Sequence, residues 1–339
     1  MSGLFRRGAL AAFAAVAFGS AAMAQQSPPV RLILDFAIQG QQSPFVLAAD
    51  EGYYARAGVN VIVDRGYGSG DGIAKVAAGA YDIAFADVGA LIQFNGRQGA
   101  TKVVNIFQIY DVAPTVLIAL KKSNITKPSD LAGKKIASPA GASSRLLFPL
   151  FAKANGFDEN SVTWVDVTPQ LRETLLIQGQ VDAIAATTTD LVGLARLNLT
   201  EEKDLTVLRY SNFGVNLYGH GLVVRPEYAE KNGDVLRKVV KGTVEGWKAA
   251  IADPARSIAA LKKRDPLVDE AVDRARLDVT IRDIVLTDHV RKVGFSQIDP
   301  ERLKTTIDMV TTTFKTPRVE PNAVFRGEFL PPRSELMVK

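Results

Sequence analysis

An α/β fold built as two lobes is what this sequence predicts, and three observations carry the prediction. Short β-rich runs alternate with helical stretches of about ten residues, the pattern of βαβ units whose strands are covered by helices. The alternation runs over 30–110 and again over 115–185, before long helical patterns take over the C-terminal third. The chain has 339 residues, and one core rarely serves more than about 250–300.

Residues 30–36 (VRLILDF) form a β-rich run with partial alternation. A polar stretch follows, and Ser43 caps a helix with Pro44 at its first position, running to about Gly52. Residues 59–64 (VNVIVD) read as the second strand. Glycines at 66, 68, 70 and 72 give a turn, and a short helix spans 73–80. A third strand over 81–86, a helix over 90–98 and a fourth strand over 102–110 complete the first series. The second series has strands at 115–121, 135–138, 162–167 and 181–185. Its helices follow Gly141, through Asn155, and cover 170–179. Residues 222–224 are extended, and helices are expected over 233–252, 254–263, 268–279 and 300–314. The resulting division is 28–112 for the first lobe, 113–217 for the second, and 218–339 for a return to the first lobe plus C-terminal helices.

Composition excludes several function classes. The chain is 47% hydrophobic and 23% charged, too apolar for a disordered protein. The net charge of +5 is scattered, with no basic run of five, whereas a nucleic-acid groove needs clustered cations. The absence of cysteine excludes cysteine nucleophiles, cysteine–zinc sites, iron–sulfur clusters and disulfides. His220 and His289 are the two histidines, too few for a multi-histidine metal centre; no cofactor or metal is expected. Residues 1–24 carry Arg6 and Arg7, an apolar stretch over 8–18 and Ala22-Met23-Ala24, a secretory signal peptide with cleavage before Gln25. The arginine pair leaves the export route, general or twin-arginine, open.

Four local patterns, taken with their order and spacing, resemble one family. They are GYYARAGVNVIV (52–63), GSGDGIAKVAAGAYDIAFAD (68–87), KPSDLAGKKIASPAGASSRLLFPLF (127–151) and TLLIQGQVDAIAATTTD (174–190). Together they resemble the periplasmic solute-binding proteins of ABC importers, in the sulfonate/nitrate/taurine and thiamine-precursor (NMT1/THI5-like) group. The resemblance implies a type II periplasmic-binding-protein fold: two Rossmann-like lobes joined by a two-crossover hinge, closing on a ligand in the cleft between them. It also implies export to the periplasm, a membrane permease with its cytoplasmic ATPase as partners, and a monomer that binds no nucleic acid. The Glu-Pro that many family members carry near 187–190 is missing here.

The candidate ligand-binding residues lie where strands run into helices. In the first loop, Gln39 and Gln41 offer amides and Ser43 a hydroxyl. Ser69, in GYGSGDG, offers a hydroxyl in a glycine stretch that lacks the lysine of a nucleotide loop. Asp87 ends a strand and either accepts from a ligand amine or caps the next helix. Gly141, Ser143, Ser144 and Arg145 join a strand to a helix; Arg145 either forks onto an anion or pairs with an acid in its own lobe. Thr188 and Asp190 end the last strand of the second series, as polar wall or as strand filling and helix cap. Tyr110 and Asp111, and the segment 212–218, flank the crossovers; His220 reads as a hydrogen-bonded structural residue and Trp247 as core.

No catalytic residues are expected, since no G-x-S-x-G elbow is present. The pyrimidine synthases that share this fold by resemblance use a cysteine-rich segment, and a LysR-type sensor would carry an N-terminal helix-turn-helix. The leading expectation is a receptor for a small organic anion, a sulfonate, a taurine-like solute or an aromatic carboxylate, resting on Arg145. The alternative is a neutral heteroaromatic such as a pyrimidine thiamine precursor, suited to the Gln and Thr walls. An enzyme on the same fold ranks third.

Overall fold

The computed structural model describes residues 28–338; the expected signal peptide lies outside the described residues. In chain order the main elements are β1 (Val30–Ile33), α1 (Ser43–Asp50), β2 (Val61–Asp64), α2 (Ser69–Ala77), β3 (Ile83–Asp87), α3 (Val88–Asn95) and β4 (Val104–Gln108). Then come β5 (Thr115–Leu120), β6 (Lys135–Ser138), α4 (Ser143–Leu146), α5 (Phe148–Ala154), β7 (Thr163–Asp166), α6 (Arg172–Ile177), β8 (Ala183–Thr187), α7 (Asp190–Arg196) and β9 (Leu205–Arg209). The chain closes with β10 (His220–Val224), α8 (Gly233–Ala252), α9 (Pro254–Arg264), α10 (Glu270–Val279) and α11 (Pro300–Phe314).

Among the described residues the strands form two five-stranded sheets, ordered β2-β1-β3-β10-β4 and β7-β6-β8-β5-β9. The chain passes from the first sheet to the second between β4 and β5, and returns between β9 and β10. Both sheets are mixed: the expected parallel βαβ units are present, and one antiparallel strand that the sequence reading did not foresee is set into each. β1 pairs in parallel with β2 and β3, while β10 runs antiparallel between β3 and β4. In the second sheet β6 pairs in parallel with β7 and β8, and β5 runs antiparallel between β8 and β9. The cause is the crossovers. A strand that enters from the hinge runs away from the cleft, opposite to strands whose carboxyl ends point toward it.

Two further elements differ from the sequence reading. Strand β9 falls in a stretch that the reading left without a strand, and its burial alternates weakly. Helix α2 begins at Ser69 rather than Ile73, because only Gly68, at φ 126°, takes a conformation closed to other residues. Asp71 then sits in the first turn, where its charge complements the exposed N–H groups.

The first sheet packs through an aromatic box. Phe45 lies 4.8 Å from Phe85 and 5.9 Å from Trp247, and Tyr110 lies 5.0 Å from Phe85 and 6.1 Å from Trp247, between ring centroids. Burial of side chains this size contributes roughly 1.5–3 kcal/mol each. Helix α8 approaches α1 closely because glycine stands at 246, and Gly242 in the same helix lets Tyr54 pack against it. A Cβ on Gly246 would stand 2.6 Å from the Ala48 Cβ and 3.0 Å from the Pro44 carbonyl oxygen. Gly246→Ala is therefore expected to lower stability by about 1–2 kcal/mol in urea unfolding, despite alanine's better helix propensity; unchanged or higher stability would show that α8 can slide off α1.

Candidate functional site

The carboxyl ends of the two sheets meet around a cavity holding about 420 Å³ of atom-free space, counted to its open mouth. The first lobe contributes Asp35, Phe36, Gln41, Gln42, Gly68, Ser69 and His220, and the second Ala142, Ser143, Ser144, Arg172, Thr187 and Asp190. The lobes touch at its rim. The Gly70 N–H donates to the Gly141 carbonyl at 3.0 Å, and the Arg172 guanidinium sits 5.6 Å from the centre of the Phe36 ring. A side chain on Gly68 would run into the Gly141 backbone. The arrangement is closed.

The first-lobe wall is a chain of polar groups behind β1. Gln42 Nε2 donates to Asp35 Oδ1 at 3.0 Å, and Gln41 Nε2 donates to Gln39 Oε1 at 3.1 Å. Ser69 Oγ accepts from the Asp87 N–H at 3.1 Å and lies 3.2 Å from His220 Nε2. Asp35 Oδ2 also faces that nitrogen, at 3.4 Å. Serine, histidine and aspartate thus gather here without forming a proton relay. Serine and carboxylate share Nε2, while the buried Nδ1 has no partner; a relay needs the carboxylate on the opposite nitrogen.

Asp87 lies beside His220 in the β3–β10 register. Its Oδ1 accepts from the Ala90 N–H at 3.0 Å, so it caps α3, as one of its two sequence readings holds. Its Oδ2 is buried and unpaired, as is Gln41 Oε1. Burial pushes the Asp87 carboxyl up to about 7, against hydrogen bonds from Ala90 and Gly89 that lower it. Burial likewise raises Asp35 to about 6, against its hydrogen bond from Gln42. Burial pushes His220 down to about 3, so it is neutral.

The second-lobe wall is organised by Arg172, which the sequence reading did not single out. Its Nη2 lies 2.8 Å from Asp190 Oδ2 and 2.7 Å from Glu173 Oε1, and its Nη1 donates to the Ala185 carbonyl at 3.1 Å. Asp190 also accepts from the Thr187 N–H and hydroxyl at 2.7 and 2.9 Å. The cation is already neutralised.

Of the sequence-named residues, Gln41, Ser69, Ser143, Ser144 and Asp190 line the cavity, with Gln39 bonded behind Gln41 and Asp87 beneath Ser69. Gly141 supplies the rim carbonyl. Three expectations are corrected. Ser43 is inside its helix and turned away, its hydroxyl 2.7 Å from that of Ser257, because the preceding turn over Gly40–Gln42 starts the helix earlier. Arg145 pairs with Asp166, donates to the Ser138 carbonyl at 3.3 Å and lies 4.9 Å over Trp164, outside the cavity. Thr188 faces the opposite side of its turn, into a groove with Val112, Pro114, Leu191 and Ile284. His220, read as structural, lines the cavity. Asp35 carried one visible signal, an acid closing an apolar strand; Arg172 carried none, since a helix-face arginine is ordinarily solvated.

Comparisons with known proteins agree on the fold. The family model described as NMT1/THI5 like matches residues 39–257, well over half of the chain. The chain is 24% identical over 228 residues to the riboflavin-binding protein RibY of Chloroflexus aurantiacus, covering 66% of this chain and 63% of that protein's length. It is 21% identical over 252 residues to the formylaminopyrimidine-binding protein of Halalkalibacterium halodurans, covering 73% and 75%. Among solved structures, the alkanesulfonate-binding protein SsuA from Xanthomonas axonopodis pv. citri, bound to MOPS, superposes with a TM-score of 0.68 at 18% identity, over 90% of this chain and 100% of that one. The architecture is the periplasmic-binding-protein fold.

The buried carboxyl of Asp87 generates a pH test. Its folded value lies above the 3.8 of an ordinary aspartate, so the fold holds its proton more tightly and stability declines as pH rises from about 4 through about 7. His220 acts in the opposite sense, costing stability as pH falls below 6.5 toward 3. Asp87→Asn keeps an oxygen for the Ala90 N–H and removes the charge. It is expected to raise ligand-free stability by about 2–4 kcal/mol at pH 8 and by little at pH 4.5. An equal gain at both pH values in urea unfolding would refute the buried-charge account.

Proposed function

This chain belongs to the NMT1/THI5-like family, and from that premise and the cleft we propose that it is the periplasmic solute-binding component of an ABC importer. It captures its solute between two closing lobes and delivers it to a membrane permease served by a cytoplasmic ATPase. Among the described residues no helix is long and apolar enough to cross a membrane, which suits such a carrier. We propose further that the solute is a neutral or weakly basic heteroaromatic that donates hydrogen bonds, such as an aminopyrimidine, rather than a small organic anion.

One observation carries the choice of ligand: the cavity meets its contents with acceptors. Asp35, Asp190 and Gln41 line it, Asp87 lies beneath, and Arg172, the one cation lining it among the described residues, is already bound to two carboxylates. An anion would meet carboxylates on both lobes without a free cation to offset them. The start of α2 is no anion site either, since the Gly70 N–H is taken by Gly141. Phe36 offers an aromatic face inside the cavity. The matched relatives named for riboflavin and formylaminopyrimidine binding are consistent with a heteroaromatic.

A thermal-shift and calorimetric panel tests this, since a solute that binds only the folded clamp raises its melting temperature. We expect 4-amino-2-methylpyrimidine to stabilise the protein and taurine and ethanesulfonate to leave it unchanged at equal concentration; the reverse ranking refutes the ligand class. With the aminopyrimidine, Asp190→Asn is expected to weaken binding about tenfold or more, the loss typical of a charge-assisted hydrogen bond. Arg145→Ala is expected to change affinity less than twofold, because its guanidinium is occupied outside the cavity.

A further inference from the structure

The two crossovers between the lobes are fastened by one side chain from the C-terminal third. Arg302, in the first turn of α11, donates from Nη1 to Asp111 Oδ1 at 3.0 Å and from Nη2 to the Asp111 carbonyl. Both groups belong to the first crossover. The same Nη2 donates to the Leu217 carbonyl at 3.3 Å, and the guanidinium lies 4.0 Å over the Tyr218 ring. Those groups belong to the second. The crossovers are also bonded directly, the Ala113 N–H donating to Leu217 and the Gly219 N–H to Tyr110, each at 3.0 Å.

The surroundings hold this junction in register. Asp111 Oδ2 accepts from the Thr287 hydroxyl at 2.6 Å, and the Asp111 and Val112 N–H groups both donate to the Ile284 carbonyl. Ile284 lies in a π-helical turn over Thr280–Val285, where the wider winding frees carbonyls from their usual partners. The Asp299 N–H donates to the Tyr218 hydroxyl at 2.9 Å. Helix α11 itself packs on α3 of the first lobe and α5 of the second.

We propose that Arg302 acts as a positioning residue that favours the closed clamp, by gripping both crossovers in the mutual orientation they take only when the lobes meet. Opening a two-crossover hinge turns the backbone of both strands. A guanidinium is a rigid planar fork, so it cannot follow Asp111, Leu217 and Tyr218 if they rotate relative to one another. Its contacts are made in the arrangement where Gly70 meets Gly141 and Arg172 meets Phe36. They therefore weigh on the closed side, at a place no solute touches. This inference rests on the clamp reading above.

The test uses the ligand-free protein. Because the chain has no cysteine, Leu197→Cys with Leu267→Cys gives two unique spin-label positions. Both are exposed, and they flank the Arg196–Asp269 ion pair that joins α7 of the second lobe to the loop before α10. Pulsed electron–electron distance measurements then report the ratio of short to long separations. In the Arg302→Met background the ratio is expected to fall at least threefold, with Asp111→Asn moving it the same way. Arg302→Lys, which keeps the charge and loses the fork, serves as the milder variant should the methionine protein fail to fold. Folded variants with the parental ratio would overturn the proposal, whatever their melting temperatures. A single fixed separation in the parental background would instead refute the moving clamp, and the proposal with it.

Discussion

The ion pair between Arg172 and Asp190 sets the character of the cleft. Without it, a buried guanidinium would face the solute as a free positive charge, and the site would read as an anion receptor. With it, and with Glu173 on the other edge of the same guanidinium, the second lobe presents a hydrogen-bonded wall with no free positive charge. The acceptor-rich first lobe then carries the proposed preference for a donor. Desolvation sharpens this. The carboxyls of Asp35 and Asp87 hold protons unusually well because burial strips their charged forms of water. On the proposed reading, a donor-bearing solute would supply what the protein's own side chains do not.

Much of the architecture could be read from the chain, because strand and helix periods are local properties. The alternation of short apolar runs and capped helices locates most strands to within a few residues, and α11 starts and stops where its Pro300 and the end of its apolar stripe predict. What escaped was non-local. The antiparallel course of β5 and β10 follows from where the chain crosses between lobes, which no window of sequence contains. Strand β9 escaped because its partly exposed residues lack a continuous apolar run.

The cleft was legible by position and illegible by role. Strand-to-helix junctions gather at the carboxyl edge of each sheet, so Gln41, Ser69, Ser143, Ser144 and Asp190 could be named without coordinates. Which charged residue turns inward could not. Arg145 and Arg172 both begin helices of the second lobe and look alike on paper. Trp164 and Asp166, on the neighbouring β7, draw the first outward, whereas Asp190, two elements downstream, draws the second inward. Ser43 shows the same limit in reverse: its partner Ser257 lies on α9, far along the chain.

The glycine contact at the rim has a mechanical meaning. Where Gly68 meets Gly141, backbone stops against backbone, and no rotamer on either side can yield to bring the walls nearer. The jaws therefore have a fixed gauge, like a calliper with a hard stop. A molecule smaller than that gauge is not squeezed until it fits; it rattles, underfilled and poorly held. In the proposed receptor, undersized solutes would thus be turned away by looseness and oversized ones by collision.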